Sequence, residues 1–456
     1  MKRNFPIFIF NLIIAALFTG CFARDDNQPV INGNTLLNNN DTTSDINFID
    51  DDETFFKIID TGSFNAFQSI TLYKDGFVLA GVGENSNSKY ISILITDAEF
   101  NPINQASFSG LDFITDDWSG YRDLRLTVFR DKIFITGAYN TGDTSYSHRG
   151  FYALLDKELN VVYSKTLDTA FTVDIITAFF RDNSVYLIHD ASYNQEYKGF
   201  IVSKLAQDGS IQSSNNIDPD QRLFLADIFV FNDQIFVSAA DGGNYSDSFL
   251  YRLNRDLNIV YKLKSSELGV VRSVLKNAGG ITVSTDRSAV FSIKSSGEFN
   301  QCYAGPVELT AMDNMFGLLQ RGNDINYFVI NYIEDNQKTL FENGLIDINQ
   351  NQRSKEYFYS LYLLSVSQAI TSGGRVFLIG NRGFPEKKWN WFNKSPEISR
   401  VSFITEIMPI EKAGQILPVE SQPITLDKME FASPLSIDIV TADLTLDMVE
   451  VVHTIR

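Results

Sequence analysis

Cysteine is nearly absent from this chain: Cys21 and Cys302 are the two in 456 residues. If Cys21 is acylated, Cys302 has no partner and no disulfide holds the fold together. Cys302 lies in Phe299-Asn300-Gln301-Cys302-Tyr303, which alternates like a strand, so it reads as a buried inert thiol. Histidine is as scarce, with three residues, His148, His189 and His453. A His148/His189 metal pair is conceivable, yet a polar loop for His148 and a strand end beside Asp190 for His189 explain both more simply. No Gly-x-Ser-x-Gly elbow, His-Glu-x-x-His or phosphate loop occurs, and no cofactor is expected. Positive charge is short too: 38 basic against 56 acidic residues give a net charge of −18. Such a surface repels nucleic acid and anionic headgroups, so neither is an expected partner.

Aromatics are plentiful, with 37 Phe and 19 Tyr, enough to build a large core without cross-links. The N-terminus has a plan of its own. Lys2 and Arg3 form a basic start, and Phe5 to Phe18 is apolar apart from Pro6 and Asn11. That run is shorter than the roughly 20 residues of a membrane span. Small Thr19 and Gly20 then precede Cys21. Phe18-Thr19-Gly20-Cys21 resembles the lipobox of bacterial lipoprotein signals, with Phe18 where that family prefers Leu. The resemblance implies cleavage before Cys21 and palmitate-type acylation of Cys21. It also implies a place in the cell envelope, expected at the outer membrane, periplasmic or surface-exposed. Membrane attachment would then come from the acyl chains on Cys21.

Phe22 to Glu53 holds seven Asn and seven Asp, with Arg24 as its single cation. It offers too little apolar surface to offset the entropy of ordering and reads as a tether. Asp50-Asp51-Asp52-Glu53 lacks the alternating spacing and the Gly of a calcium loop, so it reads as a solvated charge run.

From Thr54 a phrase of four short strands repeats. In Ile70 to Gly110, a strand ending at Tyr73 turns at Asp75-Gly76 into Phe77 to Gly81. Tyr90 to Thr96 and Ile103 to Phe108 follow. Further copies begin at Leu126, Ile176, Asp227, Val271, Leu309 and Ala369. Their first-hairpin turns fall near Gly76, Asp131, Asp182, Asp233, Asn277, Asp313 and Gly373. Seven antiparallel units of this size predict an all-β fold, a β-propeller of seven four-stranded blades; a two-layer sandwich is the other architecture. Phe55 to Thr61 matches a fourth strand, and the seventh copy reaches its third at Val401 to Ile407, so the N-terminal segment is expected to close the ring. Asp75-Gly76-Phe77-Val78-Leu79-Ala80-Gly81 and Leu154-Leu155-Asp156…Tyr163-Ser164-Lys165-Thr166 resemble the "DGGfvlaG…lDsnGnivwskt" blades of largely uncharacterised bacterial lipoproteins. The expected organisation is a signal over 1–20, a tether over 21–53, a propeller over 54–418 and a β extension over 419–456. Ser433 to Ile455 alternates again and reads as an added hairpin.

Asp97, Asp156 and Asn254 recur after the third strand, where a turn-capping role is expected. Trp389 and Trp391 lie in a long insertion of the seventh copy, Asn381 to Ile398, beside Lys387, Lys388 and Lys394. Trp118 lies in the connection Leu111 to Arg125. In a propeller these segments share one face, and exposed aromatics beside cations suit a glycan or a protein partner. The leading expectation is therefore a non-catalytic binding scaffold with Trp118, Trp389, Trp391, Lys387 and Lys388 as ligand residues. A carbohydrate-active or other hydrolytic propeller and a structural envelope component are the alternatives.

Overall fold

The structure, a computed structural model, describes residues 47–48, 56–60, 64–85, 88–113, 124–141, 148–167, 175–181, 183–193, 196–241, 247–266, 268–277, 279–285, 290–303, 314–321, 324–333, 338–347, 352–360, 364–372, 375–382, 401–407, 416–418, 427–431, 435–436, 439 and 441–455. Among them every regular element is a β-strand.

The strands form antiparallel meanders in chain order. Sheet I comprises Phe64–Tyr73, Gly76–Glu84, Lys89–Thr96 and Pro102–Ser109. Sheet II comprises Arg125–Phe129, Lys132–Asn140, His148–Leu155 and Val161–Leu167, and sheet III Ile175–Arg181, Ser184–Tyr193, Glu196–Leu205 and Ile211–Ile217. Sheet IV takes Leu223–Phe231, Gln234–Asp241, Ser248–Leu253 and Ile259–Ser265, and sheet V Val271–Asn277, Gly280–Thr285, Val290–Lys294 and Phe299–Tyr303. Sheet VI follows with Asn314–Arg321, Asp324–Ile333, Lys338–Asp347 and Gln352–Ser360. Sheet VII has Leu364–Ser372, Arg375–Arg382 and Val401–Ile407, and its fourth strand is Phe56–Asp60, antiparallel to Val401–Ile407.

One expected turn is misplaced. The sixth hairpin turns between the paired Arg321 and Asp324, not near Asp313. Gly322-Asn323 is the pair that tolerates positive φ in a two-residue turn, whereas Asp313 precedes the first strand.

The repeat extends to its irregularities. A β-bulge interrupts the first strand at Gln68 in sheet I, Ile176 in III, Ala226 in IV, Arg272 in V, Gly317 in VI and Ser367 in VII. A second bulge sits early in the fourth strand, at Ile103, Val162, Gln212, Val260 and Asn300 of sheets I to V. Bulges bend the strand and turn its extra side chain aside. Ile103, Val162 and Val260 are accordingly left exposed.

The inner strands are buried on both faces, as in Gly76–Glu84, where every residue but the last is buried. Near-continuous burial requires a neighbour on each side of the sheet. Apolar clusters fill the spaces between sheets I and II, II and III, III and IV, IV and V, and VII and I. In the last of these, Phe100 stacks on Phe77 at 4.4 Å between centroids and meets Phe377 edge-on at 5.0 Å.

Polar stitches cross the same junctions. Gln68 at its bulge accepts from the Leu124 N–H at 3.0 Å, joining I to II. Gln368 accepts from the Ile70 N–H at 2.8 Å, joining VII to I. Ser238 accepts from the Val271 N–H at 2.9 Å, joining IV to V.

The C-terminal segment is not a hairpin. After Ile416–Pro418 on sheet VI, short antiparallel strands extend the outer edges of successive sheets: Asp427–Lys428 on IV, Leu435–Ser436 on III, Thr441–Asp443 on II, Asp447–Val449 on I and Thr454–Ile455 on VII. Alternation arises because each contact places one face inward, whether or not the strand pairs with its own neighbour in sequence.

Candidate functional site

Meander topology gives the sheets two ends. The lower end carries the first-to-second and third-to-fourth turns; the upper end carries the second-to-third loops and the connections between sheets.

Lower-end chemistry is structural. In sheet I the Asp97 carboxylate accepts from the backbone N–H groups of Glu99 at 2.9 Å and Asn101 at 2.8 Å, and from the Asn101 amide at 2.8 Å. Asp156 repeats the set with Glu158 and Asn160, and the Asn254 side chain caps Asp256 and Asn258. The capping role expected from the sequence is the observed one. Hydrogen bonds from Asn101, Asn160 and Ser210 hold the carboxyl groups of Asp97, Asp156 and Asp208 below the usual range. Each turn also holds a residue at positive φ: Phe100 at 60°, Leu159 at 68°, Leu257 at 65°, and Gly209 and Gly297 at 83° and 82°. Neighbouring sheets grip these turns. The Tyr152 hydroxyl donates to the Gly209 carbonyl at 2.7 Å, Arg181 donates to the Arg255 carbonyl, and Arg252 donates to the Gly297 carbonyl at 3.2 Å. At the VII–I junction Arg375 forks onto Glu406 at 2.9 and 2.6 Å and reaches Glu99 at 3.3 Å, while Lys57 donates to the Glu99 carbonyl at 2.6 Å.

At the upper end, Arg382 and Val401 pair directly, so residues 383–400 leave sheet VII from a closed hairpin. Residues 114–123 connect sheets I and II at this same end. Their start is held where Phe113 bridges Tyr139, where the Asn140 N–H donates to the Asp112 carbonyl at 2.9 Å, and where Lys89 pairs with Asp112 at 2.7 Å. Trp118, Lys387, Lys388, Trp389 and Trp391 themselves lie outside the described residues, as does Cys21. Sheet I separates the two flanks and contacts sheet VII through Gln368 and sheet II through Gln68.

His189 is fully buried, neither ring nitrogen has a hydrogen-bond partner among the described residues, and burial pushes it down to about 3. The His148 backbone pairs with Asn140. Among the described residues no group of three His, Cys, Asp or Glu side chains is arranged to hold a metal.

Sequence reasoning missed one buried polar cluster. Lys262 and Asp218, both 3% exposed, pair at 2.7 Å between sheets III and IV. Gln221 accepts from Lys262 at 2.9 Å, and the Tyr251 hydroxyl donates to Asp218 at 2.8 Å. Burial first, and then the Asp218 charge, raise the Tyr251 phenol. A buried charge pair needs such hydrogen bonds to offset desolvation. The lysine alternates with apolar residues in Tyr261-Lys262-Leu263-Lys264 like any solvent-facing one, so no local signal distinguishes it.

No protein-family model matches the chain, and no curated protein does. In shape it is similar to a subtype N10 neuraminidase-like protein of A/little yellow-shouldered bat/Guatemala/060/2010, at 10% sequence identity and a TM-score of 0.40, over 78% of this chain and 98% of that one. It is also similar to puromycin hydrolase, at 13% identity and a TM-score of 0.38, over 73% of this chain and 52% of that one.

Proposed function

We propose that this chain is a lipid-anchored protein of the bacterial cell envelope whose seven sheets are the blades of a closed propeller. Its upper face binds a protein or glycan without chemistry. Anchoring rests on the lipobox-like Phe18-Thr19-Gly20-Cys21. Ring closure is supported by the VII–I junction, which carries the same kinds of bulge stitch, turn grip and apolar filling as the junctions within the chain order. The first strand of each sheet also lies against that of the next, with Leu364–Ser372 against Phe64–Tyr73.

The observation that carries the binding reading is the common exit, from the upper end beside sheet I, of the two segments holding all three tryptophans. Indoles displayed there beside Lys387 and Lys388 suit stacking on a sugar ring or anchoring in a protein partner. The shifted carboxylates among the described residues sit at the lower end and are held ionised, whereas a hydrolytic centre needs one raised.

Two experiments test this. Cys21→Ser should abolish acyl labelling and shift the protein out of the membrane fraction or leave it held by an uncleaved signal; unchanged labelling refutes the anchor. Trp389→Ala with Trp391→Ala should leave the melting temperature unchanged while cutting capture on a glycan array or by envelope cross-linking at least tenfold. A much lower melting temperature would instead make the rings a local core.

A further inference from the structure

The C-terminal strands do more than cover edges. They visit sheets IV, III, II, I and VII in turn, against chain order, and their first residues, 427, 435, 441, 447 and 454, are six to eight residues apart. Each attachment is two or three residues long, too short to persist alone. Along its path the strap drops apolar side chains into successive junctions. Ile439 enters the II–III core, Leu444 and Leu446 the I–II core, and Ile455 the VII–I core.

Polar contacts fix its register. The Ser164 hydroxyl donates to the Leu444 carbonyl at 2.6 Å, and the Leu444 N–H donates back to the Ser164 carbonyl at 3.1 Å. The Met429 N–H donates to the Lys262 carbonyl at 3.0 Å, and the His453 N–H to Gln105 at 2.9 Å. Ser164, Lys262 and Gln105 hold equivalent positions of their fourth strands; the first two accept through the backbone carbonyl, from the residue just after a strap strand, and Gln105 through its side-chain Oε1. Where the strap crosses Gly110, at φ +137°, a Cβ would stand 2.4 Å from the Thr445 carbonyl.

The last attachment differs from the rest. Thr454–Ile455 pairs with Ile59 and Asp60, the free side of the N-terminal strand that completes sheet VII. That strand therefore lies between Val401–Ile407 and the end of the strap.

We propose that the outer rim of sheets IV, III, II, I and VII is a peptide-binding track for extended strands, occupied by residues 427–455 as a separable ligand whose final contact locks Phe56–Asp60 in place. Weak sites linked by short spans bind collectively, because each docked site raises the local concentration of the next segment. The strap accordingly holds as one unit and leaves as one unit.

The test cuts the full-length folded protein at a protease site engineered into residues 419–426. The cut strap should stay bound through gel filtration, and an excess of labelled synthetic 427–455 should replace it on the rim. Leu444→Asp with Leu446→Asp should release it. On replacement by buffer, amide exchange in Phe56–Asp60 should rise about tenfold or more, while Val271–Thr285 of sheet V stays unchanged. Prompt loss of the cut strap from the unmutated ring overturns the proposal. So does failure of the peptide to exchange in after the strap has been displaced, or unchanged protection of Phe56–Asp60 once it has left.

Discussion

Phe100 holds two properties that rarely coincide, a fully buried aromatic ring and a φ of 60°. The backbone conformation suits glycine, while the packing against Phe77 and Phe377 needs a large ring. Phe100→Ala should cost about 3–5 kcal/mol. Phe100→Gly should be no worse, since relief of the left-handed strain offsets the glycine entropy; urea denaturation of both variants checks the ordering. The histidines give a second residue-scale prediction. Burial pushes His453 down to about 4 and His189 to about 3, against an ordinary value near 6.5. Both are depressed, so the unfolded chain binds the protons more tightly. Stability is full above about 6.5 and falls as pH drops toward the folded values, by up to ~1.4 kcal/mol per unit for each residue. His453→Gln should flatten the acid limb of a melting-temperature profile between pH 4 and 7. The turn caps were legible because Asp97, Asp156 and Asn254 recur at one beat of a visible repeat. His453 and the Lys262–Asp218 pair were not, because burial there depends on partners far along the chain.

Strands show where pattern and packing part company. The meanders were readable because Asp, Asn and Gly punctuate apolar runs at a steady interval, and the misplaced sixth turn shows the limit, where two polar stretches compete. Bulges were invisible: Val162 and Val260 look like core residues by composition yet project outward, 52% and 42% exposed. Val162→Thr should therefore change stability by less than about 0.5 kcal/mol. The same substitution at Val202, 1% exposed on the third strand of sheet III, should cost roughly 1–3 kcal/mol because the hydroxyl is buried. Thermal or chemical melts of the pair separate the two environments. The strap was misread for a related reason, since short apolar alternation records that one face is buried without recording against what.

For the molecule as a whole, the proposed ring depends on the VII–I junction bearing load like its neighbours. Gln368 and Gln68 each accept a backbone N–H across one flank of sheet I, Gln68 at its bulge and Gln368 one residue past its own. Gln368→Ala and Gln68→Ala should each leave a buried N–H unsatisfied and cost roughly 1–3 kcal/mol. A silent Gln368→Ala beside a costly Gln68→Ala would mean that sheets VII and I are not a working joint. A shared face for Trp118, Trp389 and Trp391 was an inference from loop order alone and lies outside the described residues, and the strap's path around the rim was not anticipated at all.

Sheet VII also imposes a timetable. Its fourth strand, Phe56–Asp60, is synthesised before the four-stranded meanders of sheets I to VI, yet its partner Val401–Ile407 comes more than 300 residues later. Pairings so distant in sequence form slowly. Sheets I to VI can assemble in passing, but the early strand must wait for its partner until residues 401–407 are available. Sheet VII is therefore the last of the seven to be completed, and a chain that pairs its two distant strands only then stays threadable until that point, which the envelope location proposed above would require.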